Sequence, residues 1–262
     1  MNRSLFFTID AAVICLLLFT ACILMVMFGR FIRNRFLHKD QQESKGGVNS
    51  LLGALFGLWG FVLAFTFGNS ASRFDSVRMI MVDEANAIRN SIFRAKAFPD
   101  TIQKNLTADL QLFLQARIDY YKYAADLDKF NKIKQDADAI SETLWEETIR
   151  ASRLPNLNVT TSANMLAALS NMFDVAAKRD ALMLAGVPEP IMYMLFFLAI
   201  AISFVGGFTT PVIQTKEWIV ITGFILLACI IIYITLDLAR PLRGFIKPDV
   251  GEYKILELKK LF

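Results

Sequence analysis

The chain has 262 residues, 55% of them apolar, and a mean hydropathy of +0.44. This composition is too apolar for an ordinary soluble domain and is typical of a membrane protein. The formal net charge of +4 lies outside residues 70–188, where fifteen basic and fifteen acidic residues cancel. The polar segment therefore lacks the basic excess of a nucleic-acid-binding domain, and the positive charge beside the apolar stretches suits an anionic lipid surface.

Four apolar stretches predict membrane-spanning helices, because each has about 20 residues, the length that crosses a bilayer. They are Phe7–Phe28, Val48–Gly68, Pro190–Phe208 and Trp218–Leu236. Asp10 is the only ionisable residue within them, which argues against a proton relay or pump. Phe19–Cys22 loosely resembles a lipoprotein signal, but the apolar run continues beyond the roughly 7–15 residues of a cleaved signal.

Residues 70–188, between the second and third spans, predict a helical soluble domain. Apolar side chains recur at intervals of three and four after a capping-box start at Asp100, and the same helix face includes one arginine. The residues of this face are Leu106, Leu110, Phe113, Arg117, Tyr120 and Ala124. Further helices are predicted over residues 136–153 and 162–185. The expected fold is all-α, with two hairpins of membrane helices flanking a helical domain.

The predicted domain organisation has four parts. They are a transmembrane hairpin over 1–69, the helical soluble domain over 70–188, a second hairpin over 189–237 and a basic C-terminal tail over 238–262. Motifs for catalysis, phosphate binding or metal binding are lacking, and the single histidine, His38, lies in a basic loop without neighbouring ligand residues. We therefore expect no enzyme activity, no metal and no cofactor.

Small residues mark one side of the second span. Gly53, Gly57, Gly60, Ala64 and Gly68 recur every three or four residues. Small residues let helix backbones approach closely in membranes. This ribbon either packs within the helical bundle of one subunit, or packs against the same helix of a neighbouring subunit or an adjacent span.

A second row of residues runs beside that ribbon. Phe61, Phe65, Asn69 and Arg73 follow one another at intervals of four and share one helix face. Phenylalanines in a span are often plain packing residues. Around an axis, however, this row would form a hydrophobic constriction followed by a polar mouth that attracts anions.

Two segments carry a family resemblance. "LLGALFGLWGFVLAFTFGNSASRFDSVRMIMVDEANAIR", Leu51–Arg89, and "DLARPLRG", Asp237–Gly244, resemble the signatures of the bestrophin-like membrane proteins. Bestrophins are pentameric anion channels, so the resemblance implies an oligomeric channel, with a pentamer favoured. We expect it to conduct anions such as chloride, although the resemblance does not carry over ion selectivity. Ser72 stands where bestrophins have a tyrosine, and no acidic calcium clasp is identifiable, so calcium gating is not implied.

Charged residues follow the second span and the fourth span. Since Asp75 and Arg78 can pair at i+3 near the membrane edge, we predict a structural ion-pair network rather than a site that binds permeating ions directly. Its members are Asp75, Arg78, Asp83, Glu84, Asp237 and Arg240.

Orientation rests on the basic residues near the span ends. If the termini and the helical domain are cytoplasmic, nine of these residues lie inside and six outside. Basic residues near span ends are in excess on the cytoplasmic side, so this count slightly favours that orientation, and the resemblance implies the same one. The nine are Arg3, Arg73, Arg78, Lys178, Arg179, Arg240, Arg243, Lys247 and Lys254. Against this, the loop after the first span is itself rich in arginine and lysine, which alone would place it inside.

Two functions remain open at this level. One is a homo-oligomeric ion channel that conducts inorganic ions across the plasma membrane, or across the inner membrane of a bacterial cell. The other is a non-conducting membrane scaffold or sensor that oligomerises and binds a partner through its helical domain. The glycine ribbon suits both functions.

Overall fold

The computed structural model describes residues 9–36, 45–123, 127–155, 157–184, 188–210, 215–240 and 244–262. His38, Ala124, the start of the predicted first span and residues 241–243 of the second signature lie outside these ranges. The described residues form helices and no strand. The predicted all-α class is therefore confirmed.

Eight α-helices and a final 3₁₀ turn make up the described chain. They are α1 (Ala11–Phe36), α2 (Lys45–Ala95), α3 (Asp100–Lys122), α4 (Leu127–Ser152), α5 (Val159–Leu184), α6 (Glu189–Thr209), α7 (Thr215–Leu238), α8 (Asp249–Glu257) and the turn Leu258–Leu261. Helix α2 has 51 residues, or about 77 Å at 1.5 Å per residue. No proline interrupts it, so its backbone hydrogen bonding continues from the apolar span into the charged segment.

The chain divides into two compact units. The first, here called the membrane unit, is Met1–Arg73 with Gly186–Arg240, and the second, the helical unit, is Phe74–Ala185 with Pro241–Phe262. Helix α2 contributes residues to both. The division falls after Arg73, a few residues beyond the predicted boundary at 69, because Phe74 and Val77 already belong to the buried side of the helical unit.

Four helices are long and apolar enough to cross a membrane, Ala11–Arg35, Ser50–Ala95, Glu189–Thr209 and Thr215–Leu238. The membrane unit contains three of them and the part of the second up to Arg73. Helix α1 packs mainly against α6 and also against α7. The α1–α6 contact is close because two glycines face the opposite backbone. A Cβ atom on Gly207 would lie 2.8 Å from the Cα of Val26, and one on Gly29 would lie 2.9 Å from the backbone nitrogen of Phe208.

Polar side chains in the membrane unit make hydrogen bonds of two kinds. Buried hydroxyls donate to the carbonyl four residues earlier in their own helix: Thr66 to Val62 at 2.7 Å, and Ser203 to Ala199 and Thr235 to Ile231 at 2.8 Å. Other side chains reach a different helix, since the indole Nε1 of Trp59 donates to the Leu195 carbonyl at 3.3 Å. Both arrangements provide hydrogen bonds that the hydrocarbon cannot supply.

The helical unit has a separate apolar core. Its centre is built from fully buried residues of α2 to α5, among them Met81, Ile88, Leu110, Leu144 and Leu169. Helix α3 packs on α4, and α4 packs on α5. Helix α3 begins at Asp100, within one residue of the predicted start, but the Gln103 backbone amide donates to the Pro99 carbonyl at 2.8 Å, so Asp100 lies in the first turn instead of preceding it. Helix α4 begins at Leu127, earlier than the predicted 136.

The C-terminal segment differs from the predicted basic tail. Residues 249–257 form α8, and Ile255 and Leu258 are buried in the core of the helical unit. Gly251 faces α2 so closely that a Cβ atom would lie 2.6 Å from the Cβ of Met81. The charged residues between Ile255, Leu258 and the other apolar positions made this short helix hard to predict from the sequence, because it is stabilised by packing on the rest of the unit.

Candidate functional site

One face of α2 is exposed along the membrane unit. Phe61 and Phe65 are 70% and 54% exposed, Asn69 is also exposed, and Arg73 is half-buried. The opposite side of the helix is buried, with the residues Trp59, Val62, Leu63, Thr66 and Ser70. The row predicted to line a pore therefore lies mostly on the outer surface of the single subunit.

The ribbon of small residues is exposed as well. Its members are Gly53, Gly57, Gly60, Ala64 and Gly68. A Cβ atom built on any of the four glycines would meet no atom within 4 Å in the described part of the chain. The four glycines of the ribbon thus make no close contact within the described part of the subunit. In the membrane unit the close-packed glycines are Gly29 and Gly207, which sequence reasoning missed.

A buried ion-pair cluster lies in the helical unit, where α2, α3 and α5 meet. The Glu84 carboxylate accepts from Arg117 Nε at 2.5 Å and from Arg179 Nη1 through its second oxygen. Arg117 Nη2 also donates to Asp180 at 2.7 Å. Glu84 and Arg179 are wholly buried and Arg117 is 3% exposed, whereas Asp180 is 13% exposed. Two positive and two negative charges therefore balance, and three of them lie away from water.

Tyr120 packs against both guanidinium groups of this cluster. Its ring centroid lies 4.6 Å from the Cζ of Arg117 and 5.6 Å from that of Arg179, within the range of cation–π attraction. Burial acts to lower the pKa of Arg117, but the facing Glu84 and Asp180 carboxylates raise it above its ordinary value. Burial, reinforced by Asp180, raises the pKa of the Tyr120 phenol. Both groups thus keep their protons, which favours a permanent structural cluster.

The cluster only partly matches the predicted network. Glu84 belongs to it, but its partners Arg117 and Arg179 were missed, although an arginine on the apolar face of α3 was a signal for a buried charge. Arg179 is among the nine basic residues from which the sequence predicts the orientation, but its side chain is wholly buried. Asp83 is exposed on α2.

The other predicted network residues form separate contacts. Asp75 and Arg78 make an exposed ion pair at 3.7 Å, the geometry expected for an i+3 pair on a helix. In the membrane unit, Asp237 and Arg240 are buried at the end of α7. Arg240 Nη1 donates to the Ile9 carbonyl at 2.7 Å, which ties this end to the residues just before α1.

Metal binding has no support in the described ranges, where no three His, Cys, Asp or Glu side chains come close enough to share an ion. The three cysteines, Cys15, Cys22 and Cys229, are buried in the membrane unit as free thiols. The arrangement therefore offers an exposed helix face and a buried ion-pair cluster.

Comparison with known proteins gives a consistent result. A family profile described as the Bestrophin-like domain matches residues 15–247. A crystal structure of a variant bacterial bestrophin homologue from Klebsiella pneumoniae is 13% identical, with a TM-score of 0.69, and the match covers 93% of this chain and 98% of that one. A second variant of that homologue is 14% identical, with a TM-score of 0.62 and coverage of 94% and 99%.

A crystal structure described only as a membrane protein is 15% identical, with a TM-score of 0.62 and coverage of 95% and 98%. No curated protein shows significant similarity to the chain. At these identities the solved structures support the fold, and the profile supports the family.

Proposed function

Because the chain belongs to the bestrophin-like domain family, we propose that it is the subunit of a homo-oligomeric, anion-conducting channel with α2 around the axis. The observation that carries this proposal is the face of α2 on which Phe61, Phe65 and Asn69 are exposed in the single subunit. A symmetric oligomer can place the same helix of every subunit around one axis. The family resemblance favours five subunits.

The order of side chains along α2 suits a conduction path. In an oligomer, Phe61 and Phe65 would form two apolar rings, and hydrophobic constrictions can gate a pore by dewetting. Asn69 and Arg73 follow on the same side and would supply amide donors and positive charge to an anion. The glycine ribbon beside this row would let neighbouring copies of α2 approach closely.

The proposed location is the plasma membrane, or the inner membrane of a bacterial cell, with the helical unit in the cytoplasm. In that orientation we expect the helical unit to contribute an intracellular vestibule. The family relation is the support for this orientation.

Conduction is tested with the purified chain in planar bilayers under symmetric and asymmetric salt. We expect unitary currents, and a reversal potential displaced toward the equilibrium potential of chloride. The absence of unitary current over a wide voltage and pH range, from protein that is oligomeric by mass measurement, would favour the non-conducting scaffold.

Arg73→Gln is expected to lower the permeability ratio of chloride to sodium by about fivefold. The estimate follows because one unit charge a few ångströms from the ion contributes about 1 kcal/mol in water-like surroundings. Reversal potentials in asymmetric sodium chloride measure the ratio. Arg78→Gln is the matched control, since Arg78 is an exposed arginine of the same helix paired with Asp75. Equal selectivity in all three proteins would remove Arg73 from the conduction path.

A further inference from the structure

An apolar cavity of about 310 Å³ lies among the four helices of the membrane unit. Its walls include Leu18 and Val26 of α1, Trp59 of α2, Ala199 of α6 and Ile225 of α7. The cavity residues lie in the C-terminal half of α6, near the N-terminal end of α2, and along the middle of α1 and α7.

The cavity has the length of one lipid leaflet. Along α6 its wall runs from Ala199 to Thr210, a rise of about 16 Å at 1.5 Å per residue. Half of a typical hydrocarbon core is about 15 Å. Phe56, Val220 and Phe224 of the wall are 37%, 70% and 46% exposed, so the cavity wall continues onto the surface of the membrane helices. An acyl chain can therefore reach the cavity from the bilayer.

Positive charge stands at one end of the cavity. Cys22 and Val26 line it, and Arg30 and Arg33 continue the same side of α1 at the next two turns. Arg33 is half-buried, and its Nη1 donates to the carbonyls of Phe208 at 2.9 Å and Thr209 at 2.7 Å. Since Thr209 also lines the cavity, the guanidinium of Arg33 is fixed beside its mouth.

We propose that this cavity binds one acyl chain of an anionic phospholipid, with its phosphate held at Arg30 and Arg33. The apolar wall suits the chain, and the arginines suit a headgroup with net negative charge better than a zwitterionic one. The threonine hydroxyl groups at the mouth already bond within α6, because Thr209 and Thr210 both donate to the Gly206 carbonyl. Selectivity for the headgroup thus rests on the two arginines. This site is independent of whether the channel conducts.

Trp59 provides a direct reporter of occupancy. It lines the cavity, is 7% exposed, and is one of three tryptophans in the chain. In a Trp145→Phe, Trp218→Phe background it is the only one left. Bromine atoms on an acyl chain quench tryptophan fluorescence on contact, and bulk lipid has little access to the buried indole.

The experiment places this variant in phosphatidylcholine vesicles that contain a fixed minority of brominated phosphatidylglycerol or, separately, brominated phosphatidylcholine. We expect severalfold stronger quenching by the brominated phosphatidylglycerol. Equal quenching by the two lipids would overturn the proposed headgroup selectivity, and no quenching by either would overturn the acyl-chain site.

Substitutions then assign the effect to the site. Arg30→Gln is expected to abolish the preference for phosphatidylglycerol, whereas Arg35→Gln, an exposed arginine at the same helix end, should retain it. Ala199→Phe fills the cavity and should reduce quenching by both lipids. If Arg30→Gln does not fold, Arg30→Lys should retain the preference. A preference that survives Arg30→Gln, or quenching unchanged in Ala199→Phe, would contradict the proposal.

Discussion

Glu84→Gln is expected to lower the free energy of unfolding of the helical unit by about 3–5 kcal/mol, the effect of leaving a buried ion pair with one partner. Glu84 accepts hydrogen bonds from both Arg117 and Arg179. The Nε and Nη2 atoms of Arg179 have no hydrogen-bond partner among the described residues, so the loss of Glu84 leaves that guanidinium without a carboxylate. Guanidinium chloride titration in detergent, followed by the fluorescence of Trp145, measures the change.

Asp83→Asn is the matched control for Glu84→Gln. It removes the neighbouring carboxylate of the same helix, but Asp83 is exposed, so the change should stay within about 0.5 kcal/mol. A Glu84→Met, Arg179→Met double variant should recover most of the lost stability, because an apolar pair of similar volume often replaces a buried ion pair without loss. Equal stability of Glu84→Gln and Asp83→Asn would contradict the assigned role of the cluster.

Gly207→Ala is expected to destabilise the membrane unit by about 1–3 kcal/mol or more, the range found for overpacked interiors. The added methyl group would overlap the backbone of α1 at Val26, and a backbone atom cannot rotate away as a side chain can. Helices α1 and α6 would have to separate, with loss of contact along their whole interface. The midpoint temperature for loss of the monodisperse gel-filtration peak measures the effect.

Gly206→Ala is the control for this substitution. Its Cβ atom would meet nothing within 4 Å among the described residues, and alanine is favoured over glycine in a helix by about 1 kcal/mol. We expect Gly206→Ala to match or exceed the parent protein in stability. A Gly207→Ala protein as stable as Gly206→Ala would show that α1 and α6 do not meet in the described way.

The fold class could be predicted because its signals are local. An apolar run of about 20 residues can be recognised without knowledge of any other part of the chain. The third and fourth spans, predicted at 190–208 and 218–236, lie close to the observed helices Glu189–Thr209 and Thr215–Leu238. The start of α4 was harder to predict. Its first turns are rich in lysine and aspartate, so apolar periodicity there is too weak to distinguish helix from loop.

The candidate site was less predictable because its partners are distant in the chain. Glu84 and Arg117 are 33 residues apart, and Glu84 and Arg179 are 95 residues apart. Which carboxylate meets which guanidinium depends on helix packing, and no spacing rule within one helix reaches that far. The same limit applies to glycines. Those of α2 form a regular ribbon, yet Gly29 and Gly207, which belong to no such pattern, are the ones that meet the backbone of a neighbouring membrane helix.

The buried hydroxyl groups of the membrane unit have a mechanical consequence. Thr66, Ser203 and Thr235 each donate to a carbonyl of their own helix. These hydrogen bonds therefore stay intact when the whole helix shifts or rotates. A small shear between neighbouring helices exposes no unsatisfied donor at these three positions. Shear of packed helices is one of the common ways in which proteins switch state. At these three positions neighbouring helices can therefore shift against one another without a hydrogen bond that must break and re-form.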